Sequence, residues 1–205
     1  MKVAFSGASG SGKTTLVKWV AEHYNLPHLS GSSGDLKTDD DREYLASRFG
    51  VEGREGHAKV IKESHNNPEF GYELQRMILT RRSELIKDNQ VFVTDRSPID
   101  NFVYYMLQAG LYQNDGINHD FYEACIQAMI PLDHIFVVPF MFDFVEDNGS
   151  RLTSQVYQHM VTHIFSLYHY QFQAEMSRVN SNTKIHLITP LLLDDRKNKI
   201  INILG

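Results

Sequence analysis

The chain predicts an α/β fold in which helices flank a central parallel sheet. Three observations lead there. Short apolar runs alternate with longer stretches of helical periodicity; a glycine-rich stretch separates the first apolar run from the first helix; and the runs are apolar at consecutive positions, as strands buried on both faces are. The 205 residues, 42% hydrophobic and 22% charged, suit one domain with a sizeable core and exclude disorder and collagen-like repeats. No linker, internal repeat or low-complexity tract interrupts them. The net charge of −5, from 20 basic and 25 acidic side chains, argues against a general nucleic-acid coat and leaves only a local basic groove open. The single cysteine, Cys125, excludes an intramolecular disulfide framework and a zinc site built from several cysteines. The apolar start is too short for a signal peptide, and the apolar run near 135–144 is broken by Pro139 and Asp143. The expectation is a cytoplasmic protein with no membrane partner.

The elements follow in order. Residues 3–6 read as a buried strand, 13–24 as a helix with Leu16, Val17, Val20 and Ala21 on one face, and 27–30 as a second short strand. Residues 31–34 read as a loop, and Asp39-Asp40-Asp41 favours a helix start by complementing its positive end. From 41 to 67 the pattern is poor, with Gly50, Gly53 and Gly56 interrupting two short helices. Residues 68–87 form a clearer helix, with Leu74, Met77, Ile78, Leu85 and Ile86 at helical spacing. Val91-Phe92-Val93-Thr94 is a buried strand ending on Asp95-Arg96. Residues 100–109 and 119–129 read as helices, and 134–138 as a strand cut by Pro139. A polar segment at 146–151 precedes a long helix at 153–178; 184–188 is the last strand and 194–204 the closing helix.

The sharpest signal is Gly7-Ala8-Ser9-Gly10-Ser11-Gly12-Lys13-Thr14, which fits G-x-x-x-x-G-K-S/T at every fixed position and stands between a strand and an amphipathic helix. Glycine at 7, 10 and 12 permits backbone conformations that turn N–H groups inward around phosphate oxygens, and the helix beginning near Lys13 adds its positive end. Lys13 reaches the terminal phosphates as a mobile point charge, and the Thr14 hydroxyl suits Mg²⁺ bridging the β- and γ-phosphates. Ser9, Ser11 and Thr15 complete an ATP-binding set over 7–15. A glycine turn without a ligand would give Lys13 and Thr14 no purpose. The predicted architecture is thus the three-layer P-loop NTPase fold.

Other residues choose among reactions. No Asn-Lys-x-Asp segment follows a strand, which argues against a GTPase. The second acidic strand ends Asp95-Arg96-Ser97, not in the Asp-Glu pair with which motor ATPases activate water. Asp95 would stand at the carboxyl end of its strand, beside the phosphate loop. Asp-Arg-Ser after such a strand resembles the acidic-Arg-Ser element of deoxynucleoside kinases and the Asp-Arg element of thymidylate kinases. The layout is also similar to ribosylnicotinamide-kinase-like P-loop proteins, often found in bacteriophages. The resemblance runs from the phosphate loop through Asp95-Arg96 to Arg151.

That resemblance implies that Asp95 acts as base toward an acceptor hydroxyl or organises Mg²⁺, and that Arg96 holds phosphate. It implies a lid-like segment near 143–153 whose Arg151 closes over the moving phosphoryl group, although adenylate-type lids carry several arginines and this segment one. It further implies a base-reading Gln and a supporting Arg on the helix at 68–87, for which Gln75 and Arg81 are the candidates. Asp35, after the second strand, is a candidate contact to an acceptor hydroxyl, in a substrate-side segment near 31–67. A plain alternative stands beside each: a helix cap for Asp95, a solvated cation for Arg151, an exposed face of i,i+4 charge pairs for Gln75 and Arg81, a polar loop for Asp35.

The expected activity is ATP- and Mg²⁺-dependent transfer of the γ-phosphoryl group to a hydroxyl or phosphate of a nucleoside, nucleotide or nucleotide-like acceptor. Two alternatives remain: a kinase of 5-hydroxymethyluracil in DNA, like the phage DNA-modification enzymes, drawing on Arg76, Arg81, Arg82 and Lys87; and a nucleotide-dependent switch that hydrolyses ATP slowly. His159 and His163 have i,i+4 spacing but no third metal ligand with them. Tyr157, Phe165, Tyr168, Tyr170 and Phe172 read as core or as a face for a homodimer, and one of Tyr104-Tyr105 as a neighbour of the acceptor cleft. Cys125 reads as a small buried hydrophobe.

Overall fold

The computed structural model describes residues 1–50, 57–139 and 155–205. Within them β1 (Lys2–Ser6), β2 (His28–Leu29), β3 (Phe92–Thr94), β4 (His134–Val137) and β5 (Lys184–Leu187) form one sheet, ordered β2-β3-β1-β4-β5. Every pairing is parallel, with Ala4 opposite Thr94 on one side of β1 and Ser6 opposite Val137 on the other. β1 sits at the middle, where the chain stops adding strands on one side and crosses to the other. In parallel α/β sheets ligands bind at the carboxyl ends of the strands beside such a switch point.

The period-2 alternation of strand side chains divides the core into two layers. Val3, Phe5, Val93 and Phe136 point to one face, against α1 (Lys13–His23) and α9 (Leu193–Leu204), where Leu16, Val17, Val20 and Ile200 are buried. Ala4, Phe92, Ile135 and Val137 point to the other face. There they meet α5 (Pro68–Asp88), α6 (Pro98–Gln108), α7 (Asp115–Met129) and α8 (Gln155–Arg178) through Ile86, Val103, Ile126 and Phe165. A third cluster, Leu45, Val60, Phe70, Leu74 and Ile78, seats α3 (Asp39–Phe49) and α4 (His57–Asn66) on α5.

Local chemistry starts these helices where they start. Thr38 and Asp41 form a reciprocal capping box on α3, as Ser97 and Asp100 do on α6, and Pro68 and Pro98 open α5 and α6 at positions that lack an intrahelical acceptor. Two departures from the sequence reading have a local cause in side-chain capping. Residues 33–36 form a short helix, α2 (Ser33–Leu36), because the Ser32 side chain caps it by accepting from Gly34 N–H. α7 starts at Asp115, not at 119, because Asn114 Oδ1 accepts from Ile117 N–H at 2.9 Å. The lid-like segment at 143–153, with Arg151, lies outside the described residues. No helix among those described is long and apolar enough to cross a membrane.

Candidate active site

The phosphate loop leaves the carboxyl end of β1 and feeds α1. Gly7, Gly10 and Gly12 take φ of +141°, +80° and +87°, conformations that L side chains rarely adopt. At Gly7 the restriction is also steric, since a Cβ there would come within 2.1 Å of Val138 O. The buried ammonium of Lys13 bends back into the loop and donates to Gly7 O at 2.8 Å and Ala8 O at 2.7 Å. Thr14 and Thr15 stand exposed in the first turn of α1, and Ser11 is buried under the loop.

Asp95 and Arg96 follow β3, the strand next to β1, and both are half-buried. Asp95 Oδ1 accepts from Gly31 N–H at 2.9 Å, which joins the ends of β2 and β3. Gly31 has no room for a side chain, as a Cβ would meet Arg96 Cβ at 2.8 Å and Thr94 Oγ1 at 2.7 Å. Arg96 Nη1 donates to Gly7 O at 3.1 Å and to Asp100 Oδ1 at 2.7 Å. Asp100 in turn accepts from Gly7 N–H at 3.4 Å and from Ser97 N–H at 3.0 Å. Ser97 and Ser6 share a hydroxyl–hydroxyl hydrogen bond. Burial works against the charge on Arg96, but Tyr104 and Asp100 beside it prevail and raise its pKa. Tyr104 lies with its ring 5.8 Å from the Arg96 guanidinium. Tyr105 turns the other way, stacked on Phe121 at 4.2 Å in the core.

The substrate-side candidates sort differently. Asp35 is exposed and accepts from Ser30 Oγ at 2.5 Å. Gln75 is buried and donates to Gln108 Oε1 at 2.9 Å while accepting from Asn101 Nδ2 at 3.3 Å. Arg81 grips Asp41 with both arms of its fork, Nε to Oδ2 at 2.9 Å and Nη2 to Oδ1 at 3.0 Å, and also reaches Glu84. The structure brings Arg82, the next residue, to the strand ends instead. Its Nη2 donates to Gly31 O at 2.8 Å and its Nη1 to Ser97 O at 3.3 Å and to Asn101 Oδ1. Burial lowers its pKa to about 10, so it stays charged at neutral pH. Arg76 pairs with Glu73 at 2.8 Å. Most of the cations that a DNA groove along α5 would have used are therefore met inside the protein.

Sequence reasoning passed over Asp100, Asn101 and Arg196 as site residues and placed Arg82 only among the cations of a DNA groove. Arg82 continues the buried face of α5 marked by Leu74, Gln75, Ile78, Leu79 and Ile86, so its burial was open to reading from periodicity. Arg196 takes the same place on α9, one turn before Ile200. No group of three His, Cys, Asp or Glu side chains able to hold a metal forms among the described residues. Cys125 is buried, and burial pushes its thiol pKa up.

The residues present fit a triphosphate and a hard divalent cation. Three left-handed glycines and an ammonium inside the loop suit phosphate oxygens, and the Thr14 hydroxyl and Asp95 carboxylate are oxygen donors of the kind Mg²⁺ takes. Strand, glycine loop and helix at the switch point of a parallel sheet define a P-loop nucleotide-binding protein. The chain belongs to the AAA domain family, whose model matches residues 2–182. It is 38% identical over 95 residues to a cytidylate kinase of Desulfurococcus amylolyticus, a match that covers 46% of this chain and 43% of that relative. Among solved structures it is similar to deoxyadenosine kinase from M. mycoides with bound dCTP, at a TM-score of 0.60 and 15% identity over 100% of this chain and 98% of that one. Thymidylate kinase from Candida albicans gives a TM-score of 0.53 and 13% identity over 98% and 89%. These similarities establish a shared fold.

Proposed function

We propose that the protein is a phosphotransferase that moves the γ-phosphoryl group of ATP to a hydroxyl or phosphate of a nucleoside, nucleotide or nucleotide-like acceptor. The observation that carries this reading is the bond from Arg96 to Gly7, which holds an acid–arginine pair against the phosphate loop. A hydrolytic switch needs a group that orients water; the pair here suits an acceptor brought to the end of β3. The cytidylate kinase relative supports the same class of reaction.

The residues divide the work as follows. The loop's N–H groups and Lys13 bind the triphosphate tail, and Arg96 offsets charge on the group in transit. Thr14 would hold Mg²⁺, which when bound would offset phosphate charge; Asp95 either organises that ion or serves the acceptor as base. Toward a hydroxyl acceptor, Asp95 takes the proton as the new O–P bond forms, the bond to the bridging oxygen breaks and ADP departs. The Gly31 N–H bond fixes which carboxylate oxygen of Asp95 is left to do so.

Incubation with γ-labelled ATP, Mg²⁺ and a panel of nucleosides, nucleoside monophosphates, ribosylnicotinamide and hydroxymethyluracil-containing DNA tests the reading. Label appearing in one acceptor, and lost with Lys13→Ala, is the expected result. ATP hydrolysis that no acceptor stimulates would favour the switch, and label in the DNA would favour the base kinase.

A further inference from the structure

Arg196 lies in the first turn of α9, far along the chain from the loop it touches, and is 2% exposed. Its Nη1 donates to Ser11 O at 2.9 Å and its Nε to Pro190 O at 2.6 Å. One rigid, planar fork thus bonds the phosphate loop and the turn that follows β5 together. Burial lowers the pKa of this guanidinium, the mark of a cation held at a cost. Apolar residues occupy the neighbouring positions of that helical face, Ile200 and Ile203, so an aliphatic side chain at 196 would extend the core.

The peptide plane explains what the cost achieves. A trans peptide sets its C=O and the following N–H on opposite sides. Holding Ser11 O toward Arg196 therefore holds Gly12 N–H away from it. Gly12 precedes Lys13 at φ +87°, a conformation with little intrinsic preference for one peptide orientation. Lys13 secures the near end of the loop through Gly7 and Ala8, but its bond to Ser11 is to the hydroxyl, at 3.4 Å, not to the carbonyl.

We infer that Arg196 is a positioning residue for the phosphate cradle, orienting the Ser11–Gly12 peptide so that its N–H is ready for a phosphate oxygen. The inference rests on the reading of residues 7–15 as that cradle. It makes the start of α9 part of the nucleotide site, although no motif in the sequence marks it.

Calorimetric titration with two probes in the presence of Mg²⁺ tests it: ATPγS, and inorganic tripolyphosphate, which has no base. Arg196→Ala and Arg196→Lys are compared with the natural chain, with thermal unfolding recorded for each. Expected is a loss of about tenfold or more for Arg196→Ala on both probes, by the same factor. Lys, which keeps the charge and loses the fork, should recover only part of it. Equal affinity of Arg196→Ala and the natural chain overturns the inference. So does a loss confined to ATPγS, which would assign the residue to the base through Pro190. If Arg196→Ala does not fold, Arg196→Lys decides alone: affinity within about twofold of the natural chain on both probes overturns the inference. Failure of the natural chain to bind either probe sinks the cradle reading itself, a result distinguishable from all of these.

Discussion

Arg96 and Gly7 are joined directly: the arginine's Nη1 donates to the glycine's carbonyl at 3.1 Å, and Asp100 ties the two together again by accepting from both. The end of β3 and the start of the phosphate loop are therefore one hydrogen-bonded unit, not two neighbouring loops. Arg96 stays in a fixed place because α6, opened by the Ser97–Asp100 capping box, presents Asp100 one turn away. This unit places a cation beside the start of the loop in advance of any ligand.

Asp95→Asn keeps an acceptor for Gly31 N–H and removes the charge. Turnover with the acceptor found by the labelling panel should fall by about 100-fold or more, while the affinity for ATPγS changes by no more than about threefold. Steady-state kinetics beside calorimetry checks this. Parallel losses in both quantities would make Asp95 a binding residue.

Gly7→Ala should destabilise the fold by roughly 2–5 kcal/mol, because its φ of +141° strains any side chain and its Cβ would meet Val138 O at 2.1 Å. Val138 follows β4 and its N–H donates to Ser6 O at 2.8 Å, so it cannot retreat without opening the sheet. Urea unfolding measures the loss. A variant as stable as the natural chain would show that the loop approaches β4 less closely than described.

Chemistry confined to one contiguous stretch was legible. The eight residues from Gly7 to Thr14 declare a phosphate loop, and an apolar run ending on Asp95-Arg96 places that pair at the end of a strand in the sheet. What escaped was chemistry assembled across the chain. Arg82 and Arg196 are cations on apolar helix faces, and side-chain type alone sends an arginine to the surface; only the positions of Ile78, Ile86 and Ile200 around them say otherwise. Arg81 attracted attention instead of Arg82 because neighbours on a helix differ by about 100° in direction, which residue counting ignores. Four-residue α2 was too short to show a period, and Gly116 in the first turn of α7 hid its true start.

Arg82→Met, nearly isosteric, should cost about 2–4 kcal/mol of stability, since it leaves Gly31 O and Asn101 Oδ1 buried without the guanidinium donor and Ser97 O with Asp100 N–H alone. Nε of Arg82 already has no hydrogen-bond partner among the described residues, so the loss falls on the two Nη groups. Arg82→Lys should not restore it, because a single ammonium cannot span acceptors on both sides of the fork. Urea unfolding of both variants checks the pair, and a loss below about 0.5 kcal/mol for Met would mean that the guanidinium contributes little beyond its volume.

His134 and His186 give the fold a dependence on acidity. Across β4 and β5 their Nδ1 and Nε2 approach to 3.1 Å, a hydrogen bond that needs one protonated and one bare nitrogen. Burial, then His134, Lys184 and Lys199, push the pKa of His186 down to about 4; burial lowers that of His134 against an upward pull from Asp133, and Lys184 adds a smaller push down. Because the folded values lie below the unfolded value of about 6.5, the unfolded chain binds more protons in between, and stability falls as pH drops through that window. The thermal midpoint should therefore fall by about 3–6 °C from this pair between about pH 6.5 and pH 5, above the range in which most carboxylates titrate. His186→Phe, which keeps a ring against Phe136 at a position where the two now stack at 5.2 Å, should flatten that part of the profile. A slope as steep in the variant as in the natural chain would move the acid sensitivity to other groups.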